Sequence, residues 1–571
     1  MTPRPLPAGG RDLVRDLWLA GTNGLRLAGD DPAHALVQAS RRLHLGRRLR
    51  AGGPPAWQAL VAHAADRPGD VRTHLEAWAA DSPGTTPLDR VAVEVAVNRG
   101  LVELVPDSLL SAKDRARLRL QAGDYSGAIA ALPSGSRLAD RIASEREAMT
   151  PGVRLPQRAS VEVTPVPRRA LHVLTNSLPH TQSGYTRRSQ AIMQALIGRG
   201  WSVEAVTRLG YPASIGRFGV SPVETVEGVR MHRLLPWRQP ATVMARLAQQ
   251  ADLLTELVVQ FRPQVLHTTT DHTNAVVVRE VATRTGLPWV YEMRGQLELT
   301  WLASRPGWAA DEASASERLR LQRGRETELA LAADAVVVLS EVQKDDLVDR
   351  GVPVEKITVV PNAVDEGLLT RTSTPAEARE RLGLPREGAW VGAVSSVVGY
   401  EGFDVLLRAV ARLRHEGRDV RCAIVGHGVS LPGLEALAAE LGISEFCHFP
   451  GRQDRELALR WVEALDVVAV PRLDTPVCRV VTPLKPVEAW ALGRPVVGSD
   501  LPALHEVVAA AGGRLAAPGD EAALAAALAG TLDDPTASAR AHGQGRAWAA
   551  ERTWQRAADR YDQLYATLGA D

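Results

Sequence analysis

Ala389–Ser396 reads AWVGAVSS, Gly402–Gly417 reads GFDVLLRAVARLRHEG, and Val420–Gly428 reads VRCAIVGHG. The first and third stretches are short apolar runs that close on small residues, the pattern of strands buried on both faces. The middle stretch repeats its apolar residues every three or four positions, the pattern of an amphipathic helix. The series continues with a helix in LPGLEALAAELGI, a strand in DVVAVPR, a helix in TPLKPVEAWALG and a strand in RPVVGSD. Strand–helix alternation of this kind predicts a parallel sheet covered by helices.

An earlier series has the same alternation. ALHVLTN (Ala170–Asn176), SVEAVTR (from Ser202), PQVLHTT (from Pro263), PWVYEMR (from Pro288) and ADAVVVLS (from Ala333) read as strands. A helix is expected over Thr186–Arg199. Two such series predict an α/β fold of two Rossmann-like domains with a cleft between them. Ligands are then expected at the carboxyl ends of the strands. Residues 1–150 have helical periodicity instead and predict an all-α N-terminal domain. Within it, Asp114–Leu132 (DRARLRLQAGDYSGAIAAL) reads as a helix, a Gly-Asp turn and a second helix, resembling one tetratricopeptide-like hairpin. A proline-rich linker follows over 151–167. The expected domains are 168–384 and 385–545, with a C-terminal helix over 546–571 crossing back to the first of them.

Bulk composition excludes several classes. The 571 residues exceed one hydrophobic core and suggest about three or four domains. Lys and Arg total 67 against 66 Asp and Glu, which lacks the basic excess of a nucleic-acid binder. The three cysteines, Cys422, Cys447 and Cys478, have no CxxC spacing, so neither a zinc site nor a disulfide framework is indicated. No apolar core of signal-peptide length opens the sequence, and no run of about 18 apolar residues occurs. The expectation is a cytoplasmic protein, with peripheral attachment to the inner face of a membrane left open.

The segment with most chemistry is Val470–Glu488, VPRLDTPVCRVVTPLKPVE. Thr482 is expected to cap a helix and Pro483 to be its first residue. Free N–H groups at that helix start suit a diphosphate. Lys485 in the first turn opposes the helix dipole, which an anion at that place would explain. Glu488, a turn later, could accept two hydrogen bonds from vicinal sugar hydroxyls. A capped surface helix with an exposed Lys and Glu is the plainer alternative.

Thr482–Val508, TPLKPVEAWALGRPVVGSDLPALHEVV, resembles the donor-binding segment of retaining glycosyltransferases of family four, which have the GT-B fold. Four further segments resemble that family in order: Ser183–Pro212, Pro288–Trp301, Ala333–Asp365 and Val391–Leu413. The resemblance spans about residues 168–571 and leaves the first 150 unexplained. It implies that Glu488 holds the donor ribose and that the amides of Thr482, Pro483 and Leu484 meet the donor diphosphate. It implies that Gly184 lets backbone approach the phosphates, and that Arg294 stands near the position of a histidine beside the transferred sugar.

Departures from the family pattern bear on phosphate binding. The first glutamate of the family's pair is replaced by Val480. The usual Arg and Lys of the first donor-domain loop correspond to Ser396 and Glu401, and the usual PNGVD reads Pro361-Asn362-Ala363-Val364-Asp365. Relatives with a TPLKPLEA motif resemble this chain in these losses. Lys485, Arg472 and Arg479 are candidates to supply the missing charge.

The expected activity is transfer of a sugar from a nucleoside diphosphate sugar to a hydroxyl with retention, in polysaccharide or glycolipid assembly. The expected partners are the nucleotide sugar and a glycan or lipid-linked acceptor, with a protein partner open to the helical domain and no nucleic acid. Helix amides, Lys485 and Arg294 would stabilise the leaving diphosphate without a metal or other cofactor. An epimerase or phosphorylase on the same fold, and a non-catalytic sugar-nucleotide scaffold, remain alternatives. Gly426-His427-Gly428 reads as a tight strand-to-helix turn, lacking the third glycine of a dinucleotide fingerprint. His267, Asp271 and His272 lack metal-ligand spacing and read as a loop shaping the acceptor pocket. Glu292 and Glu298 read as partners of Arg294 or of acceptor hydroxyls, and Arg187 and Arg188 as either ligand-facing or solvated.

Overall fold

The sheets follow from the apolar runs. In the computed structural model, residues 8–42, 52–81, 84–305 and 307–569 are described. Eight strands form the first sheet: β1 (Arg169–Leu174), β2 (Ser202–Thr207), β3 (Val223–Val226), β4 (Val229–Arg233), β5 (Val265–Thr269), β6 (Trp289–Met293), β7 (Ala335–Val338) and β8 (Ile357–Val359). Their order is β3-β4-β2-β1-β5-β6-β7-β8, so the direction of winding reverses between β1 and β5. β1 pairs in parallel with β5, β2 with β4, β6 with β7 and β7 with β8; β3 runs antiparallel to β4.

Six strands form the second sheet: β9 (Ala389–Val394), β10 (Val420–Val425), β11 (Cys447–Gly451), β12 (Val467–Val470), β13 (Val496–Ser499) and β14 (Arg514–Ala516). Their order, β11-β10-β9-β12-β13-β14, is the doubly wound Rossmann order with its switch point between β9 and β12. All its pairings are parallel. The Phe403–His415 helix packs Leu406, Leu407 and Val410 onto Val391, Ala393 and Ile424 of the strands. Two Rossmann-like α/β sheets are therefore present.

The N-terminal region is helical. Its helices run over Ala8–Asp30, Pro32–Arg42, Pro55–Ala64, Pro68–Ala80, Pro87–Arg99, Ala112–Ala122, Tyr125–Ala130 and Arg137–Met149. Residues 1–7, 43–51 and 82–83 of the expected helical domain lie outside the described residues. The hairpin expected over Asp114–Leu132 is present: the first helix ends on left-handed Gly123, and Asp124 caps the second by accepting from Gly127 N. Leu60, Leu75, Trp78, Val93 and Val97 form one core there. Nearby, Asp31, Glu94 and Asp114 lie close enough together to hold a metal ion, but Arg117 pairs with all three and Arg90 with Asp114.

The described chain divides into two compact units. One comprises 1–181, 204–289 and 304–332; the other comprises 182–203, 290–303 and 333–571. Within the second unit, the C-terminal Trp554–Leu568 helix, capped by Thr553, packs on the Gly184–Gly198 helix. Trp201 Nε1 donates to Asp562 at 2.7 Å in support of this packing. No described helix is long and apolar enough to cross a membrane.

Candidate functional site

A pocket of about 320 Å³ opens at the carboxyl ends of β9, β10 and β12, within the second unit. This is the switch point of a doubly wound sheet, where adjacent crossovers leave in opposite directions and strand ends stay uncovered. Val394, Ser395 and Ser396 line it from the end of β9; Val425, Gly426 and His427 from the end of β10; Arg472 from the loop after β12. Gly426 has φ +152°, and a Cβ there would meet Ser395 O at 1.8 Å. The turn is thus the tight one expected, and its closeness brings the ends of β9 and β10 together. Further lining comes from Gln182, Ser183, Gly184 and Arg187 at the start of the Gly184–Gly198 helix. Arg452, Gln453 and Arg455 after β11, and Pro483, Leu484 and Lys485, complete the wall.

The electrostatics are one-sided. Arg187, Arg452, Arg455, Arg472 and Lys485 all line the pocket, and no Asp or Glu does. Carboxylates stand behind some of these cations. Arg472 Nη2 donates to Glu401 Oε1 at 2.8 Å and its Nη1 to Val481 O at 2.8 Å. Burial disfavours the Arg472 charge, but Glu401 more than offsets this, so its pKa rises. Lys485 Nζ donates to Glu488 Oε2 at 2.9 Å, and Arg455 Nη1 donates to Glu488 Oε1. Arg455 also lies 3.5 Å from Asp365. Burial would raise the Glu488 pKa, yet Lys485 and Arg455 hold it down at about 2. Arg452 has no ion-pair partner among the described residues.

Several sequence expectations change here. The helix expected over the TPLKPVEAWALG segment begins at Lys485, with Leu484 as its cap residue, rather than at Pro483 with a Thr482 cap. Pro486 is the proline that occupies the first turn, where its missing N–H costs nothing. Thr482 Oγ1 is buried without a hydrogen-bond partner, and its carbonyl instead accepts from Asn362 Nδ2 at 3.1 Å. The anion that answers Lys485 in this first turn is the Glu488 side chain. Glu488 itself is buried and does not line the pocket. Arg479 pairs with Asp474 at 2.6 Å on the surface, away from the pocket. Gly184 does line it, and a Cβ on Gly184 would meet no atom within 4 Å.

Arg294 does not line the pocket either. It is buried, donating to Ser189 Oγ at 2.7 Å, to Tyr185 O at 2.9 Å and to Glu292 Oε2 at 2.6 Å. The pair with Glu292 is thus interior rather than a surface pair. Arg188 is buried too, and its Nε donates to Glu292 Oε1 at 2.8 Å. Its Nη2 donates to Val360 O at 2.8 Å and to the Tyr561 hydroxyl at 3.2 Å. These residues fix the Gly184–Gly198 helix from behind. Glu298 pairs with Arg350 at 3.2 Å.

In the first unit, the HTTTDH residues serve separate ends. His267 stacks on His172 with ring centroids 4.5 Å apart, Asp271 caps a helix through Thr273 N, and His272 lies 3.6 Å from Glu326. Arg452, Arg455, His427 and Gln182 went unrecognised in the sequence. Two arginines within GRQDR, directly after a strand, are the one local signal that points to them.

Comparison with known proteins places the chain. The family described as "Glycosyl transferases group 1" matches residues 388–534, and the family described as "Glycosyl transferase 4-like domain" matches 183–363. Among relatives, a D-inositol 3-phosphate glycosyltransferase of Thermobispora bispora is 30% identical over 304 residues, covering 46% of this chain and 68% of that protein. An MMP alpha-(1->4)-mannosyltransferase of Mycolicibacterium hassiacum is 36% identical over 236 residues, covering 41% of this chain and 53% of that protein. The chain thus spans between about half and two thirds of the length of these relatives. Sucrose-phosphate synthase from Thermosynechococcus elongatus superposes with a TM-score of 0.58 at 21% identity, over 71% of this chain and all of that one. Anabaena HepE in complex with UDP gives 0.52 at 18% identity, over 70% of this chain and all of that one. The chain belongs to the group 1, family-four-like glycosyltransferases, and its two Rossmann-like sheets have the GT-B architecture.

Proposed function

We propose that this chain transfers a sugar from a nucleoside diphosphate sugar to a hydroxyl acceptor. The observation that carries the reading is the pocket at the β9–β12 switch point, lined by five cationic side chains and no carboxylate. A nucleoside diphosphate sugar carries two negative charges on its diphosphate. Glu401, Glu488 and Asp365 answer Arg472, Lys485 and Arg455, while Arg452 has no ion-pair partner among the described residues and is left to meet such a ligand. Membership of the family supports the same reading, as do neighbours of the same fold whose structures contain UDP or ADP.

The residues would share the work as follows. Lys485, Arg452 and Arg455 would neutralise the diphosphate as it departs, together with Arg472, whose carboxylate partner holds it in place. The backbone of Ser183 and Gly184, and of Pro483 to Lys485, would approach the phosphates closely. Glu488 would hold the donor ribose once one of its two cations turns toward phosphate. Arg294 would act by positioning the Gly184–Gly198 helix. With the charge of the leaving group met by side chains, no metal is required. Retention follows in our reading from family membership, with the acceptor attacking from the face that the diphosphate leaves. Polysaccharide or glycolipid assembly is the proposed setting.

Thermal denaturation against UDP, GDP, ADP and their sugar conjugates tests this. A ligand at a hundredfold excess over its Kd adds about 2.7 kcal/mol of stability. One nucleotide family should raise the Tm, and its sugar conjugate should be consumed when acceptors are supplied. No shift with any nucleotide would overturn the reading.

A further inference from the structure

The edge of the second sheet carries two thiols side by side. β11 is the outermost strand of that sheet and runs parallel to β10. In this pairing Cys422 of β10 stands directly opposite Cys447 of β11. Residues in direct register on neighbouring strands share a face of the sheet. Both cysteines accordingly pack into the core that Leu406, Leu407 and Val410 build over that face. Their thiols share a hydrogen bond. Cys422 is buried, whereas Cys447 is half-buried at the sheet edge, within reach of a small solute. Neighbouring strands lie about 4.8 Å apart, inside the Cα separation of roughly 4.4–6.8 Å that a disulfide spans.

Two further features set the pair apart from cysteines that merely fill space. The hydrogen bond from Cys422 and the charge of Arg414 hold the Cys447 thiol below its ordinary pKa, against the effect of burial. Arg414 is fixed by donating to Val420 O at 3.0 Å. Cys478 is the contrast: it is buried and burial pushes its thiol up. The pair also lies upstream of the pocket on both strands. β10 runs on to Gly426 and His427, and β11 to Arg452, Gln453 and Arg455, all of which line it. Between the pair and the pocket the register shifts, from Ala423 opposite His448 to Val425 opposite Gly451. A disulfide holds its two Cβ atoms about 3.8 Å apart, closer than the strands themselves lie. Closing one here would draw the edge strand toward β10 and carry Arg452 with it.

We propose that Cys422 and Cys447 are a redox site, joined reversibly by a small-molecule disulfide, and that the cross-link weakens nucleotide binding in the pocket. The Cys447 thiolate attacks one sulfur of the oxidant and releases its first thiolate. Cys422 then attacks the mixed disulfide at Cys447, and the second thiolate leaves. The two protein thiols lose two electrons and two protons, and the oxidant becomes two thiols. The effect on nucleotide binding rests on the glycosyl-transfer reading; the cross-link does not.

The test treats the full chain with oxidised glutathione, maps its disulfides by mass spectrometry of peptides, and titrates the same samples calorimetrically with UDP, GDP and ADP. Cys422 and Cys447 should be found joined, with Cys478 free. Affinity for the nucleotide that binds should fall about fivefold or more and return with dithiothreitol. Cys447→Ser and Cys422→Ala should each bind that nucleotide within twofold of the reduced parent and ignore oxidised glutathione. Should Cys422→Ala fail to fold, Cys447→Ser and the re-reduced parent carry the same comparison. A lasting glutathione adduct on Cys447 without a cross-link, a cross-link that leaves affinity within twofold, or a loss of affinity that persists in either variant overturns the proposal. If no nucleotide binds the reduced chain, the donor reading fails, and the mapped cross-link alone decides the redox site.

Discussion

At the scale of single residues, charge placement is the main finding. Glu488 is a buried carboxylate answered by Lys485 and Arg455. Its pKa, about 2 against 4.5 for a free glutamate, makes it a stability element as well as a site element. A depressed folded-state pKa contributes stability that is full above the unfolded value and is lost as the pH falls toward the folded one. That contribution is about 3 kcal/mol at most, from 1.36 kcal/mol per pKa unit. Glu488→Gln should therefore destabilise by roughly 2–3 kcal/mol at neutral pH. Urea melts of both proteins from pH 7 down to pH 3 should show a constant gap above about pH 5 that narrows below it. A gap independent of pH would refute the pairing. For the pocket, Arg452→Ala removes a cation that has no ion-pair partner among the described residues. Stability should change by less than about 0.5 kcal/mol, while nucleoside diphosphate affinity falls about tenfold or more, since charge-assisted bonds contribute roughly 1.5–3 kcal/mol. Titration calorimetry with UDP reads this directly.

At the scale of elements, two glycines in the pocket wall separate packing from access. Gly426 sits where a Cβ would strike Ser395 O at 1.8 Å, on a backbone with φ +152°. Gly426→Ala should cost several kcal/mol, roughly 3 or more, because backbone rather than a flexible side chain must move. Gly184 begins a helix, and its missing Cβ faces open space. Gly184→Ala should leave the Tm unchanged or slightly raised. Its methyl group would nevertheless stand in the pocket, so nucleotide affinity should fall. Parallel melting and binding curves for the two variants check the contrast, and equal Tm losses would contradict it. Element type was legible wherever one period ran unbroken. AWVGAV and VRCAIV became β9 and β10 because runs apolar on both faces fit only an interior strand. Less visible were β3 and β4, VETV and VRMHR, where charges interrupt the apolar residues and β3 buries none of its residues fully. CHFPG and RLA, the edge strands β11 and β14, are too short and too mixed to carry a period.

At the scale of the whole molecule, buried ion networks tie distant segments within the second unit. Arg188 joins the Gly184–Gly198 helix to Glu292 after 104 residues, to Val360, and to Tyr561 in the last helix. Arg188→Leu would strip one guanidinium from the buried Glu292 carboxylate, which also meets Arg294 and the Tyr561 hydroxyl, and should cost about 3–5 kcal/mol. A denaturant midpoint unchanged from the parent would exclude this role. The sequence by itself determined the α/β class, the two Rossmann-like series, the helical N-terminal region and the family, because apolar periodicity and ordered motifs are local properties. Local reading placed Thr482 at a helix cap, and the family resemblance placed Arg294 beside the sugar. Only the tertiary structure decided that the helix starts at Lys485, that Glu488 and Arg294 sit behind the pocket wall, and that Arg452 and Arg455 stand in it. Which charge faces a pocket, and which is spent on a buried partner, depends on residues a hundred positions apart meeting in space, and no local pattern encodes that distance.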